Sequence, residues 1–427
     1  MATYHIPYSH RMIPIDLPAS RVIFTGELPK TEELLHWQDQ LIPLLDHPTA
    51  GPSLWERLSP GDHIVILVED QTRHTPVSEI LPVLIRYLIT HGSREEDLEI
   101  LIAPGTHRIL TEDELTQKLG SEVRQRIKVS QHDYRDLESL VHLPDVTIGD
   151  LTIPVSVNRT CIEADLLIGL GNIIPHPNAG YSGGAKILAP GCCGPDSVSA
   201  AHTAAALMGY LPLGMKENDC RHAFEAIASA AGLDFIINVI LNPAEEVVGI
   251  VTGDFVKAHR AGTDLSRASF GTPIPEEADI LISCAYPYDC DFWQCEKSMV
   301  SGFFAVKEGG IMILPMPCLE GIAHNHDTLL DWLALSREEA IALARHTFLT
   351  HGEGDLVAAG IAIGALTASE KARIFVYSEG LSDDTIKEMG YRPFPSLQAA
   401  IDTALAEIPQ GTIGILPHGG DCLPYLL

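Results

Sequence analysis

Apolar residues in the first half of the chain fall into short unbroken runs, each followed by a stretch with helical spacing. "HIVILVED" (residues 63–70) is one such run, and "VSEILPVLIRYLITHG" behind it keeps the helical period and closes at Gly92. An unbroken apolar run of this length is what a strand covered on both faces requires, so the two together predict a βα unit. "DLEILIAPGTHR" (97–108) repeats the plan, and the helix after it opens with Thr111 and Glu114 at capping-box spacing and stops at Gly120. A third run, "ADLLIGLG" (164–171), leads into a turn-rich segment, and residues 235–254 read as a hairpin with Asn242 and Pro243 at its turn. A second βα series starts at Ala278, with further strands at "GGIMILPM" and "ARIFVYSEG".

This alternation predicts the α/β class with parallel-type sheets. At 427 residues the chain is too long for one ordinary core, so two α/β domains with an active-site cleft between them are expected. The polar, proline-containing "SFGTPIPEEA" (269–278) is the expected boundary. It separates an N-terminal domain, residues 1–270, joined by the C-terminal tail 408–427, from a C-terminal domain, residues 271–407. Parallel sheets bind ligands at the carboxyl ends of their strands. Three strand ends therefore belong together: "DQTRHTP" (70–76), "GTHR" (105–108) and "GNIIPHPNAG" (171–180).

Charge narrows the partners. The 57 acidic residues exceed the 28 basic ones, for a net charge of −29, which repels nucleic acid and anionic lipid. An anionic small molecule would need a local group of cations. The first twenty residues lack a charged segment followed by an apolar core, and no apolar run is long enough to span a bilayer, so a cytoplasmic protein without membrane contact is expected. Nine cysteines, with Cys192 and Cys193 adjacent and no C-x-x-C, indicate neither a disulfide framework nor a structural zinc site.

Within that frame, Arg73 lies one turn before a helix starting near Pro76, where free backbone N–H groups favour an anion. Asp70, Thr72 and Arg73 can hold polar groups of a ligand, or Asp70 and Thr72 can simply shape the turn and cap the helix. His107 and His176 each follow a strand, in loops that can hold an imidazole over a cleft for proton transfer, or each can be a structural histidine. His202 sits in "SVSAAHTAAALMGY" with no second ligand at metal-binding spacing, so a metal there needs a cofactor to supply the remaining ligands. In "DCDFWQCEKSMVSGFF", Gln294 and Lys297 share a helix face and can hold a carboxylate or can be merely solvated. Lys186, in "HPNAGYSGGAKILAPG", is flanked by Ala185 and Ile187, which fails the P-loop pattern, and "GLGNII" lacks the third glycine of a dinucleotide fingerprint.

Taken together, "DQTRHTP", "GTHR", "PHPNAGYSGGAKILAPG", His202 and the "QCEK" pair resemble the nickel-pincer lactate racemase family, in the right order along nearly the whole chain. The resemblance implies a racemase or epimerase acting at C2 of a 2-hydroxy acid. It implies nickel(II) in pyridinium-3,5-bisthiocarboxylic acid mononucleotide, loaded by cofactor-synthesis proteins and covalently attached at the position of Lys186. It further implies cofactor contacts from Asp70, Gln71, Thr72 and Arg73, nickel ligation by His202, and acid/base roles for His107 and His176. Substrate contacts are implied for Arg73, Gln294 and Lys297. The N-terminal domain is then the cofactor-binding one, with small residues around Lys186 leaving clearance for a flat ring, and the C-terminal domain contributes substrate contacts. Two departures stand out: Trp293 replaces the family's tyrosine, and "TFLTHGEGDL" (347–356) has His351, Glu353 and Asp355 but no tryptophan. They lead to the expectation of a roomier, more polar pocket for a longer or hydroxylated acid such as an aldonate. A nicotinamide-dependent dehydrogenase or hydrolyase on a similar acid, and a non-catalytic protein that binds the cofactor or a hydroxy acid, are the alternative readings; the oligomeric state stays open.

Overall fold

In the computed structural model, which describes residues 1–149, 151–207, 209–324, 326–350 and 354–427, two six-stranded sheets organise the chain. The first is ordered Val247–Gly253, Leu233–Leu241, Leu166–Asn172, Ile64–Val68, Leu98–Ile102, Lys128–Gln131. All its neighbours run parallel except the Phe235–Asp254 hairpin, whose two strands pair antiparallel. Ile66 sits level with Ile100 on one side and Ile168 on the other. That register places the three expected strand ends side by side, with the Asp70 loop in the middle.

The apolar runs explain the layers. All five residues of Ile64–Val68 are buried: Val65 and Leu67 join one core, while Ile64, Ile66 and Val68 join another on the opposite face. Alternation with a period of two, apolar on both sides, is what a sheet covered by helices on both faces demands. The helix Val77–Thr90 covers the second of these faces through Ile80, Leu81 and Leu84. The helix Glu112–Leu119 starts with the expected capping box: the Thr111 side chain accepts from Glu114 N at 3.3 Å, and Thr111 N donates to Glu114 Oε2 at 2.8 Å.

The second sheet, ordered Arg392–Pro393, Ala372–Tyr377, Val306–Pro315, Ala278–Ser283, Ile413–Leu416, Val22–Thr25, is parallel throughout. It draws on both ends of the chain: Val22–Thr25 forms its edge, and Ile413–Leu416 lies between that edge and Ala278–Ser283. An N-terminal hairpin, Ala2–Tyr8 with Arg11–Leu17, covers its outer face, packing Ile6, Ile15 and Leu17 against Ile280 and Ile282. Its inner face, with Leu281, Met312 and Leu314, belongs to the same core as Val65 and Leu67 of the first sheet. The segment expected as the domain boundary, 269–278, contains the strand Gly271–Ile274, paired in parallel with Leu423–Leu426. Eight cysteines are buried and Cys290 is exposed, none of them in a disulfide. Among the described residues, no helix is long and apolar enough to cross a membrane.

Candidate active site

One cavity of about 640 Å³ is lined by Asp70, Thr72, Arg73, His107, His176, Lys186 and His202 from the first half of the chain, and by Gln294 and Lys297 from the second. Gln71 is the exception among the expected site residues. It does not line the cavity, and its Oε1 is shielded from solvent without a hydrogen-bond partner.

The Asp70 carboxylate organises the central strand end. Its Oδ1 accepts from the backbone N and Oγ1 of Thr72 at 2.9 and 2.6 Å, an Asx turn that leaves Oδ2 free to meet His107 Nδ1 at 2.6 Å. Burial alone would raise the Asp70 carboxyl, but the hydrogen bond and charge of His107, with Thr72 and Arg73, outweigh it and hold the carboxyl down at about 2. Turn formation and ligand geometry are therefore one arrangement here. Because Nδ1 donates to Asp70, His107 presents the lone pair of Nε2 outward, the tautomer a general base needs. Among the described residues, Arg73 Nη1 reaches only Thr72 O and Oγ1, so its guanidinium has donors left for an anion, and Lys118 Nζ fixes its backbone by donating to Arg73 O at 2.7 Å.

The depressed Asp70 carboxyl has a consequence for stability. A folded-state value of about 2 against the ordinary 3.8 contributes stability that is present above pH ~4 and lost as pH falls toward 2, worth about 2 kcal/mol. Between pH 5 and 2, urea unfolding of the wild type should lose about that much more stability than Asp70→Asn. Parallel pH profiles for the two proteins would mean that the His107 pair is not formed in solution.

His176 is held in the opposite sense. Its Nδ1 accepts from Asn178 N at 3.2 Å and Ala179 N at 3.3 Å, which puts the proton on Nε2. Its pKa is driven well below the ordinary value of 6.5 by desolvation first, then by Lys186, Arg73, Lys297 and His202. His202, on the helix Pro195–Leu207, donates Nδ1–H to Val198 O at 2.8 Å, leaving Nε2 as a free lone pair. Burial lowers its pKa to about 4 and keeps it neutral. A neutral imidazole with its second nitrogen tied to a backbone carbonyl is the arrangement found at metal-ligating histidines. Among the described residues, no group of three or more His, Cys, Asp or Glu is placed to hold a metal by itself, so a metal on His202 would need ligands from a cofactor.

Lys186 follows the tight turn at Gly183 and Gly184, whose φ values of 71° and 60° lie in the left-handed region. Cβ atoms there would meet Asn172 O at 2.7 Å and the His259 ring at 2.9 Å, so packing within the protein itself demands these glycines, and Gly183 also lines the cavity. The turn is anchored from below: the buried Arg221 donates to Gly183 O at 2.9 Å and to Tyr181 O, and His259 Nε2 donates to Ser182 O at 2.9 Å. Lys186 makes no hydrogen bond or ion pair with a described residue, and desolvation, followed by repulsion from Arg73 and Arg221, lowers its amine to about 7. Near neutral pH a large fraction is therefore uncharged and nucleophilic. Arg73, Lys186 and Lys297 thus bring three basic side chains to one cavity of a strongly acidic chain.

The second half supplies the opposite wall. Asp291 caps the helix Phe292–Phe303 through Gln294 N at 2.8 Å, which orients Gln294 and Lys297 toward the cavity. Lys297 Nζ lies 3.6 Å from the centre of the Tyr288 ring, and burial lowers it to about 7. Trp293 also lines the cavity and stacks on His326 at 4.1 Å and 11°; His326 Nδ1 meets Asp355 Oδ2 at 2.6 Å. Asp355 caps the helix Leu356–Lys371 and does not line the cavity, whose wall there is Val357 and Ile361, so the polarity expected from Asp355 is spent elsewhere. His351 and Glu353 lie outside the described residues. Tyr288, Glu296, His418 and Asp421 also line the cavity, and no motif or spacing marks them in the sequence.

A family model for the lactate racemase N-terminal domain matches residues 8–209. A lactate racemase of Lactiplantibacillus plantarum is 31% identical over 334 residues, spanning 75% of this chain and 76% of that protein. A lactate racemase of Thermoanaerobacterium thermosaccharolyticum is 29% identical over 344 residues, 79% of each chain. The solved structure of the lactate racemase apoprotein from that organism superposes with a TM-score of 0.84 at 25% identity, covering 99% of this chain and 100% of that one. A Thermotoga maritima protein shares the fold alone, with a TM-score of 0.69 at 20% identity over 93% of this chain and 100% of that one.

Proposed function

Since this chain belongs to the lactate racemase family and is a racemase, we propose that it inverts C2 of a 2-hydroxy acid using a nickel-pincer nucleotide attached to Lys186. The observation that carries this reading is the convergence on one cavity of an unpaired, near-neutral amine at Lys186, a free imidazole lone pair at His202 and two further histidines. Lys186 and His202 fit the group: one is poised for a covalent link, the other for a single bond to a square-planar metal whose other ligands come from the cofactor. When bound, the nucleotide would supply an acceptor and donor for the C2 hydrogen as hydride.

The chain's own residues supply the rest. Arg73 and Lys297 would hold the substrate carboxylate, with Gln294 beside them, and so keep a 2-keto acid in place while it turns over. His107 Nε2 is set to take the C2 hydroxyl proton, and Asp70 stabilises the imidazolium that forms. His176 must take and give a proton on the other side, and burial among Lys186, Arg73 and Lys297 disfavours its charged form. A substrate carboxylate would offset the charges of Arg73 and Lys297, and binding would thus move His176 toward protonation.

The same reading keeps a division near residue 270, but the expectation that the tail 408–427 joins the N-terminal domain is corrected: Ile413–Leu416 pairs with Ala278–Ser283 and with Val22–Thr25, so both strands go with the C-terminal sheet. It also keeps a cytoplasmic location, which suits nine unpaired cysteines, and loading by separate cofactor-synthesis proteins. Enantiopure 2-hydroxy acids, lactate among them, incubated with protein produced together with the loading proteins should each give the mirror-image or C2-epimeric product without added nicotinamide. Turnover that requires NAD and no nickel would replace this reading with a dehydrogenase.

A further inference from the structure

A carboxylate that nothing in the sequence singled out faces the cavity beside the proposed substrate anchor. Asp421 lies in the turn His418–Asp421, after the strand Ile413–Leu416, and that strand is the direct neighbour of Ala278–Ser283, whose own following loop carries Tyr288. The turn is held rigidly. Gly420 N donates to Tyr286 O at 3.2 Å, and Asp421 N and Cys422 N both donate to His418 O, at 3.2 and 2.9 Å. Cβ atoms on Gly419 and Gly420 would stand 2.5 Å from Ser283 Oγ and from Ala285 O, so the turn lies flush against the loop that leads to Gln294 and Lys297. His418 packs edge-on against Tyr286 at 5.2 Å.

On this fixed support, Asp421 Oδ1 is shielded from solvent and has no hydrogen-bond partner. The charge of Lys297 attracts it, yet the two form neither a hydrogen bond nor an ion pair; Lys297 Nζ rests on Tyr288 instead. Two opposite groups that line one cavity without touching leave room for a ligand that meets both, with an acceptor for Lys297 and a donor for Asp421. The carboxylate of a 2-hydroxy acid supplies the first. Lactate, with a methyl group at C3, supplies nothing for the second and would leave Asp421 unpaired, whereas a hydroxyl beyond C2 satisfies it. Burial pushes the Asp421 carboxyl up to about 7, and either of its protonation states can bond a hydroxyl.

We propose, resting on the racemase reading above, that Asp421 is a substrate-recognition residue that hydrogen-bonds a hydroxyl beyond C2, and that the favoured substrates are polyhydroxylated 2-hydroxy acids. Asp421 then sets specificity, while Arg73 and Lys297 hold the carboxylate common to all 2-hydroxy acids.

The test compares acids that differ only in hydroxylation: glycerate against lactate, and a six-carbon aldonate against 2-hydroxyhexanoate. With loaded wild type, kcat/KM should favour the hydroxylated member of at least one pair by on the order of 100-fold, and Asp421→Leu should erase that ratio. Asp421→Asn, which keeps an acceptor oxygen in the same shape, should restore part of it. The leucine variant should fold, since no hydrogen bond of Asp421 Oδ1 is lost, and a thermal melt checks this. Calorimetric titration of the same acids reads recognition apart from turnover. If no acid turns over but the binding preference exists and disappears in Asp421→Leu, the racemase reading fails and the Asp421 assignment stands. If the ratios in wild type and Asp421→Leu agree within about threefold, or no acid binds, the assignment is overturned.

Discussion

Lys186→Ala is expected to abolish both cofactor attachment and racemisation while leaving the fold intact. In the intact-mass spectrum of protein produced with the loading proteins, the wild type should carry an adduct that peptide mapping places on Lys186, and the variant should carry none. Racemisation should fall to the assay blank, because the cofactor carries the chemistry that separates catalysed from uncatalysed rates, a gap on the order of 10⁶-fold or more. Stability should not fall with it. Lys186 makes no hydrogen bond or ion pair with a described residue, and burial among Arg73 and Arg221 disfavours its charge, so removing it relieves repulsion and opens only a modest space. The amine at about 7 adds a pH signature: attachment needs its uncharged form, so the rate of adduct formation should rise up to about pH 7 and level off near pH 8, where an ordinary lysine would still be rising at pH 10. An adduct persisting in Lys186→Ala would place the attachment elsewhere.

The second large effect is the loss of either histidine. His107→Ala and His176→Ala should each lower kcat by roughly 10²- to 10⁴-fold with little change in KM if, as proposed, Arg73 and Lys297 hold the carboxylate and the imidazoles add only proton transfer. The two positions should nonetheless differ in single turnovers. His107 rests with its Nε2 lone pair outward and Asp70 behind it, so it accepts a proton without rearrangement. His176 has to release the Asn178 and Ala179 N–H groups from Nδ1 before that nitrogen can carry a proton. Oxidation of the enantiomer that presents its hydroxyl to His107 should therefore be the faster first half-reaction in wild type, and His107→Ala should slow that enantiomer more than its mirror image. Equal slowing of both enantiomers by each variant would remove the distinction between the two rings.

Much of this site was legible because its parts follow a general rule. The unbroken apolar runs at 64–68, 98–102 and 166–172 mark strands buried on both faces, and parallel strands deliver their functional loops to one edge, so Asp70, His107 and His176 meet without any knowledge of tertiary contacts. The pairing of Val22–Thr25 with Ile413–Leu416 was not legible, since strands that pair across nearly the whole chain leave no local signal of their partner. The glycines before Lys186 were visible, but their cause was not: a sequence cannot tell clearance for a ligand from a left-handed turn packed on Asn172 and His259. The same holds for Asp355 and Asp421. Both are acidic residues in loops; one is spent on a helix cap and His326, while the other, in a Gly-Gly turn that matches no motif, faces the cavity.

The central claim is that C2 is inverted by moving its hydrogen as hydride within the site, with the histidines handling only the hydroxyl proton. An enantiopure substrate deuterated at C2, turned over by loaded protein in ordinary water, tests this most directly. The inverted product should keep its deuterium at C2, because a hydride held in the site does not exchange with solvent. Inverted product carrying solvent hydrogen at C2 would show that a base removes the C2 proton instead, and would contradict the account.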